Sequence, residues 1–118
     1  MNLRLEEING EPRAILEGAG EAEEALLPHF LHPAPHFVAD VLYEISLVER
    51  LVVESSGFET DLVDVKVFSD QVIIKFKLRI DVKGKSSSIV LSLDEAKLML
   101  LEWGAMLQRW RIERKKAG

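Results

Sequence analysis

Residues 71–83 run Gln-Val-Ile-Ile-Lys-Phe-Lys-Leu-Arg-Ile-Asp-Val-Lys, and their pattern decides the fold. Val72, Ile74, Phe76, Leu78, Ile80 and Val82 occupy every second position. Gln71, Ile73, Lys75, Lys77, Arg79, Asp81 and Lys83 fall between them. Successive side chains of a strand point to opposite faces, so the first set forms one apolar face and the second a largely basic one. Such long period-two alternation predicts a half-buried strand, with the valine set inside and Lys75, Lys77 and Arg79 in solvent.

The flanking segments continue the pattern. Over 61–68, Val63, Val65 and Val67 share one face, and Leu62, Asp64, Lys66 and Phe68 share the other. Ser69-Asp70 makes a turn. After Gly84-Lys85, residues 87–93 place Ile89, Leu91 and Leu93 inward and Ser88, Val90 and Ser92 outward. Residues 61–93 are therefore expected to form a three-stranded meander. Further out, Asn9-Gly10 separates two short apolar-rich runs, a strong hairpin signal, and this predicts a β-hairpin over 2–17. Residues 21–27 suit one or two helical turns stopped by Pro28, and Pro28, Pro33 and Pro35 make a stiff connector. Val38, Val41, Leu42, Ile45, Val48 and Val52 follow three- and four-residue spacing, which predicts a helix over 36–55 closed by Gly57. A last helix is expected over 94–115, capped by Ser92 or Asp94, with acids at its start and Arg114, Lys115 and Lys116 at its end. The expected whole is a single α+β domain over 1–118: an antiparallel sheet of four to five strands, packed on one face by helices, with a long C-terminal helix.

Composition narrows the function. In 118 residues, 47% hydrophobic and 30% charged, there is enough apolar material for one core. No cysteine occurs, which excludes disulfides and a thiol nucleophile and suits a reducing, cytoplasmic setting. No leader and no membrane-length apolar run is visible. Asparagine and glutamine are scarce beside valine, leucine, glutamate and arginine, a balance that resembles hyperthermophile usage. The net charge of −5 is unevenly spread, with residues 1–60 at −9 and residues 61–118 at +4. That asymmetry points to a polyanion partner for the second half, or to pairing between the halves themselves.

Four features bear on chemistry. Lys66, Lys75, Lys77, Arg79 and Lys83 share the outward strand face with Phe68, Ile73 and Val90, a mixture that suits phosphates and unstacked bases. An ordinary solvated face, with lysines guarding against edge pairing, is the plainer alternative. On the last helix, Leu100, Trp103, Leu107 and Trp110 form a heptad-like seam. With apolar residues around most of that helix, one side is expected on the sheet and the other against a second chain, unless the seam is simply core. Arg109, Trp110 and Arg111 add a cation–aromatic cluster, read either as a nucleic-acid contact or as favourable helix-end charge. His29, His32 and His36 have a metal-like spacing, but the prolines break the helix that would align them, so a structural loop or a cleft border fits better. There is no phosphate-binding glycine loop or nucleophile motif, so no enzyme, cofactor or metal is expected.

The strand Val72–Lys83 with Lys75, Lys77 and Arg79 on its face, together with the Trp103/Leu107/Trp110 seam, resembles the ThermoDBP single-stranded DNA-binding proteins of hyperthermophilic archaea and their related proteins. The resemblance is one of architecture over about residues 36–116. It implies a four-stranded antiparallel sheet on helices, a basic and hydrophobic cleft for single strands, and oligomerisation through C-terminal helices. The overall acidity departs from that pattern. The functional expectation is a non-sequence-specific single-stranded nucleic-acid-binding protein, DNA favoured over RNA, working as a homo-oligomer. The alternative is a protein–protein interaction or assembly module.

Overall fold

The structure, a computed structural model, describes residues 2–18, 20–34, 36–77 and 88–117. The chain order is β1 (Asn2–Ile8), β2 (Glu11–Glu17), α1 (Glu21–Phe30), α2 (Phe37–Glu49), β3 (Ser55–Glu59), β4 (Val63–Phe68), β5 (Gln71–Phe76), β6 (Ser88–Ser92) and α3 (Leu93–Ala117). The fold is α+β, with a four-stranded antiparallel sheet in the order β3-β4-β5-β6, a separate two-stranded sheet β1-β2, and the long C-terminal helix.

The main sheet takes the register that its alternation predicts. Val63 pairs with Phe76, Val65 with Ile74 and Val67 with Val72; Val72 in turn faces Leu91, and Ile74 faces Ile89. All eight are buried, while Lys66, Lys75 and Lys77 are exposed. Leu78, Arg79, Ile80, Val82 and Lys83 lie outside the described residues. A one-residue slip would have turned the whole apolar set to solvent, so burial of one set fixes the register.

The hairpin also follows its local signal. Asn9 (φ 54°) and Gly10 (φ 81°) both adopt positive φ, as a two-residue type I′ turn requires, and Ile8 pairs directly with Glu11. On its outer surface the Arg4 guanidinium binds Glu6 and Glu17, and these hydrogen bonds, Glu6 first, hold its pKa above the ordinary value. On the inner surface Ala14 and Leu16 are buried. β2 packs on α1, and β1 lies along α3, where Arg114 pairs with Glu7.

Several boundaries differ from the sequence expectation. α1 continues through Pro28 to Phe30, since a proline in the last turn removes one backbone bond at most, and Leu26, Leu27 and Phe30 are drawn into the core. α2 ends at Glu49 instead of running to residue 55. Val52 N–H donates to Leu47 O (3.0 Å) and Leu51 N–H to Val48 O (3.1 Å), the two bonds of a Schellman cap, with Leu51 at the left-handed position (φ 58°). Gly57, expected to close that helix, instead lies inside β3 opposite Lys66, so the sheet has one strand more than the predicted meander. Leu51 is 85% exposed and carries the steric cost that a side chain pays at positive φ, roughly 1–2 kcal/mol. Leu51→Gly is expected to raise stability by about 1 kcal/mol despite the greater entropy of the unfolded chain, read as a higher urea midpoint with an unchanged slope.

α2 and α3 cross the buried face of the sheet side by side. A Cβ on Gly104 would stand 3.2 Å from Val38 Cγ1, so glycine lets the helices close at that point. At the other end of the pair Lys97 binds Glu49 (2.8 Å). α3 starts with a capping box, in which Glu95 N–H donates to Ser92 Oγ (3.1 Å) and Ser92 N–H reaches back to Glu95 Oε1 (3.4 Å). Phe37 is the pivot of the aromatic core, with Phe30 and Phe58 edge-on to it at 6.0 and 5.3 Å.

Candidate nucleic-acid interface

The helices cover one face of the main sheet, and no described helix covers the other. Four strands lay out that open face row by row. One row runs Gly57, Lys66, Ile73, Val90; the next runs Glu59, Asp64, Lys75, Ser88. Phe68 sits two residues beyond Lys66 on β4, opposite Ser55. Val90 is 58% exposed, Ile73 and Phe68 are half-buried, and Lys66 and Lys75 are exposed. Lys66 and Lys75 are diagonal neighbours, which places them roughly 7–8 Å apart at the backbone. Gly57 has no side chain to fill its place in the row. A shallow depression results, lined by Ser55, Gly57, Glu59, Asp64, Lys66 and Phe68.

The electrostatics of this face are mixed. Lys77 forms an ion pair with Glu59, which compensates its charge. Among the described residues, Lys66 and Lys75 enter no ion pair, although Asp64 stands opposite Lys75 in the register. Two open cations thus flank a short apolar strip made by Phe68, Ile73 and Val90. Arg79 and Lys83, assigned to the same face by sequence, lie outside the described residues.

The C-terminal cluster does not join this face. α3 packs against the opposite side of the sheet, and its residues are used differently from the expectation. Arg111 donates to Pro33 O (3.1 Å), tying the helix to the proline connector. Trp110 is half-buried, with the Arg114 guanidinium 5.1 Å from its ring centroid, in a groove between hairpin and helix shared with Arg4, Leu5 and Arg109. Arg109 is exposed. The expected oligomer seam is corrected as well: Leu100, Trp103 and Leu107 are fully or nearly fully buried in the chain's own core. Trp103 Nε1–H donates to His32 O (3.0 Å). Facing the sheet buries more apolar area than any single helix contact would, so the widest apolar side of α3 turns inward.

The histidine loop is held by its neighbours. His32 Nδ1 accepts from Ala34 N–H (3.0 Å), its ring lies 5.7 Å from that of Phe37, and His29 stands edge-on to Phe76 at 6.5 Å. His29 and His32 border an open groove with Arg13 and Leu62. Among the described residues, no three His, Asp or Glu side chains converge as a metal site would need. Nor is any helix there long and apolar enough to cross a membrane. Gly57 and its depression escaped the sequence reading, because a Ser-Ser-Gly stretch gives a turn signal and only pairing with β4 makes it a strand.

The chain matches no protein-family model, no curated protein and no solved structure.

Proposed function

We propose that the open sheet face binds single-stranded nucleic acid without sequence preference, DNA rather than RNA, in keeping with the resemblance to ThermoDBP proteins. The observation that carries this reading is the row Lys66, Ile73, Val90, with Phe68 and Lys75 beside it, on a face that no described helix covers. Lysines meet phosphates as point charges, and unpaired bases lie on the aromatic and aliphatic strip. Nothing in the row has the paired donor and acceptor geometry that reads a base edge, so sequence preference is not expected. The pleated face is too shallow to follow a duplex groove, which favours single strands. On this reading the protein is a cytoplasmic protein of a thermophilic archaeon, with no cofactor and no catalytic role.

The test is fluorescence anisotropy with labelled oligo(dT), oligo(U) and a duplex at two salt concentrations. Oligo(dT) should bind most tightly, and log K should fall with log salt by about 0.7 for each phosphate neutralised, hence by about 1.4 for Lys66 and Lys75 together. Absence of salt-sensitive binding to any single strand at low ionic strength would remove the proposal. A protein-assembly role would then take its place, favoured by Leu98, Leu101 and Ile112, which α3 leaves exposed.

A further inference from the structure

β3 ends the main sheet on one side, and among the described residues no strand lies beyond it. The register tells which backbone groups line that outer edge. Thr60 N–H donates to Val63 O (2.8 Å), and on the other side of β4 Lys77 N–H donates to Leu62 O (2.9 Å). In an antiparallel ladder such bonds alternate along each strand. Ser56, Phe58 and Thr60 therefore turn their N–H and C=O groups toward β4, and Ser55, Gly57 and Glu59 turn theirs outward. These three residues are exposed, and among the described residues their outward groups meet no partner. β3 carries none of the usual guards of an edge. It has no lysine and no proline, and its pairing with β4 runs without a bulge. Gly57 stands at its centre, where the lack of a side chain leaves room for another backbone.

The flank of this edge is apolar and acidic. Glu44 on α2 receives Ser56 Oγ, so that side of α2 overlooks β3, whereas Val38 and Glu49 on its other side meet α3. Asp40 and Leu47 lie one turn to either side of Glu44 on the β3 flank, and Tyr43, 60% exposed, stands above them. The connection leading into β3 adds Leu51, Val52 and Val53, which are 85%, 64% and 38% exposed. Glu54 precedes the strand and Asp61 follows it. Like Asp40, both are exposed and enter no ion pair among the described residues. Arg50, at the end of α2, offsets part of this charge.

We infer that the outer edge of β3 takes up an extended segment of another protein as a fifth, antiparallel strand of the main sheet, a segment in which basic and apolar residues alternate. Its backbone bonds Ser55, Gly57 and Glu59. Directly opposed residues of an antiparallel pair share a face, so the residues opposite those three lie on the open face, where lysine or arginine answers Glu54 and Asp61 at the two ends. The residues between them turn toward α2, where valine or isoleucine covers Leu47 and Tyr43. The antiparallel sense continues that of every pair in the sheet. A nucleic-acid strand has no row of alternating donors and acceptors to match this edge. A second copy of β3 would bring Glu54, Glu59 and Asp61 of both chains together, and like charges repel. The inference does not rest on the nucleic-acid proposal, which uses Lys66, Phe68 and Lys75 on the open face.

Hydrogen exchange of the full chain, followed by NMR, tests it with the peptide Lys-Val-Lys-Val-Lys-Val-Lys as probe. In the free protein the amides of Ser56 and Phe58 should be protected, and those of Ser55, Gly57 and Glu59 should exchange fast. Saturating peptide should slow these three by about tenfold or more. Methylation of the peptide's internal lysine backbone nitrogens, which face β3, should abolish the effect. Methylation of its valine nitrogens, which face away, should leave it. Glu-Val-Glu-Val-Glu-Val-Glu should give no protection. Tyr43→Ala, a good helix former at an exposed position, should weaken peptide binding about fivefold or more with an unchanged circular dichroism spectrum. Fast exchange of all three amides at saturating peptide, or an equal effect of the two methylated peptides, would overturn the inference. So would the same protection arising from concentrated protein without peptide, which gives the edge to a second copy, or from oligo(dT), which gives it to nucleic acid.

Discussion

Replacing Trp103 with alanine is expected to cost about 3–5 kcal/mol of folding stability, the largest effect of any single truncation in this chain. Trp103 is the bulkiest fully buried side chain and lies where α3 meets the proline connector. Truncation removes apolar contacts on several sides and opens a cavity. It also leaves His32 O without its indole donor, so the loss of that part-buried hydrogen bond adds to the cost. Trp103→Phe keeps most of the volume and loses the hydrogen bond, so it should cost less, on the order of 1–2 kcal/mol. Urea denaturation followed by circular dichroism measures both. A Trp103→Ala midpoint close to that of the wild type would mean that the indole does not sit in the core. Trp110→Phe makes a useful background, because it leaves Trp103 as the sole tryptophan, whose buried emission, excited selectively over that of Tyr43, should shift to the red on unfolding.

The second large effect concerns binding. Phe68→Ala should weaken single-strand affinity by about 1–3 kcal/mol with an unchanged salt slope, since stacking involves no counterion. Lys66→Ala with Lys75→Ala should act in the complementary way, weakening binding to every sequence alike and flattening the slope by about two phosphate contacts. Lys77→Ala should change the slope less than either, because Glu59 already neutralises that lysine. All of these residues lie on the open face, so the fold should survive each change. Anisotropy titrations at several salt concentrations separate the outcomes. A Phe68→Ala variant that binds like the wild type would move the bases elsewhere.

Strand register was legible in the sequence because Val63, Val65 and Val67 alternate up to the Ser69-Asp70 turn and Val72, Ile74 and Phe76 alternate after it, and only one assignment of faces buries the valines. The Asn9-Gly10 turn was legible for a similarly local reason, since two adjacent residues that tolerate positive φ point to one turn type. β3 was not, because Ser55-Ser56-Gly57 carries turn chemistry and becomes a strand only through its pairing with β4. The end of α2 was hidden by Leu51, a leucine at a position where glycine is usual, so the apolar spacing ran on past the true cap. α3 shows the deepest ambiguity. It carries two apolar stripes, Leu100/Trp103/Leu107 and Leu98/Leu101/Ala105/Ile112, on opposite sides. Periodicity finds both but cannot say which one the sheet will take. That choice belongs to tertiary packing, and it decides which residues remain for a partner. For the candidate site, Lys66, Phe68 and Lys75 were found by alternation. Arg109 and Trp110 were drawn in as neighbours in a cation–aromatic cluster, and the fold sets them on the other side of the sheet.

The position of α3 also matters for the birth of the protein. Its partners are far away along the chain: Trp103 meets the carbonyl of a residue 71 positions earlier, and Arg114 pairs with one 107 positions earlier. Synthesis from the N-terminus delivers α3 after the other described elements, so the β5–β6 side of the apolar face and the β1 side of the hairpin, which α3 covers, stay bare until its 25 residues have been made. At cellular elongation rates that is about 1–5 s, long compared with the microseconds in which a hairpin forms. Through that interval the bare apolar face of β5 and β6 is open to apolar segments of other nascent chains. A chain stalled or truncated before residue 93 should therefore be captured by chaperones or aggregate, whereas a chain carrying α3 should fold in one cooperative step once that helix has been made.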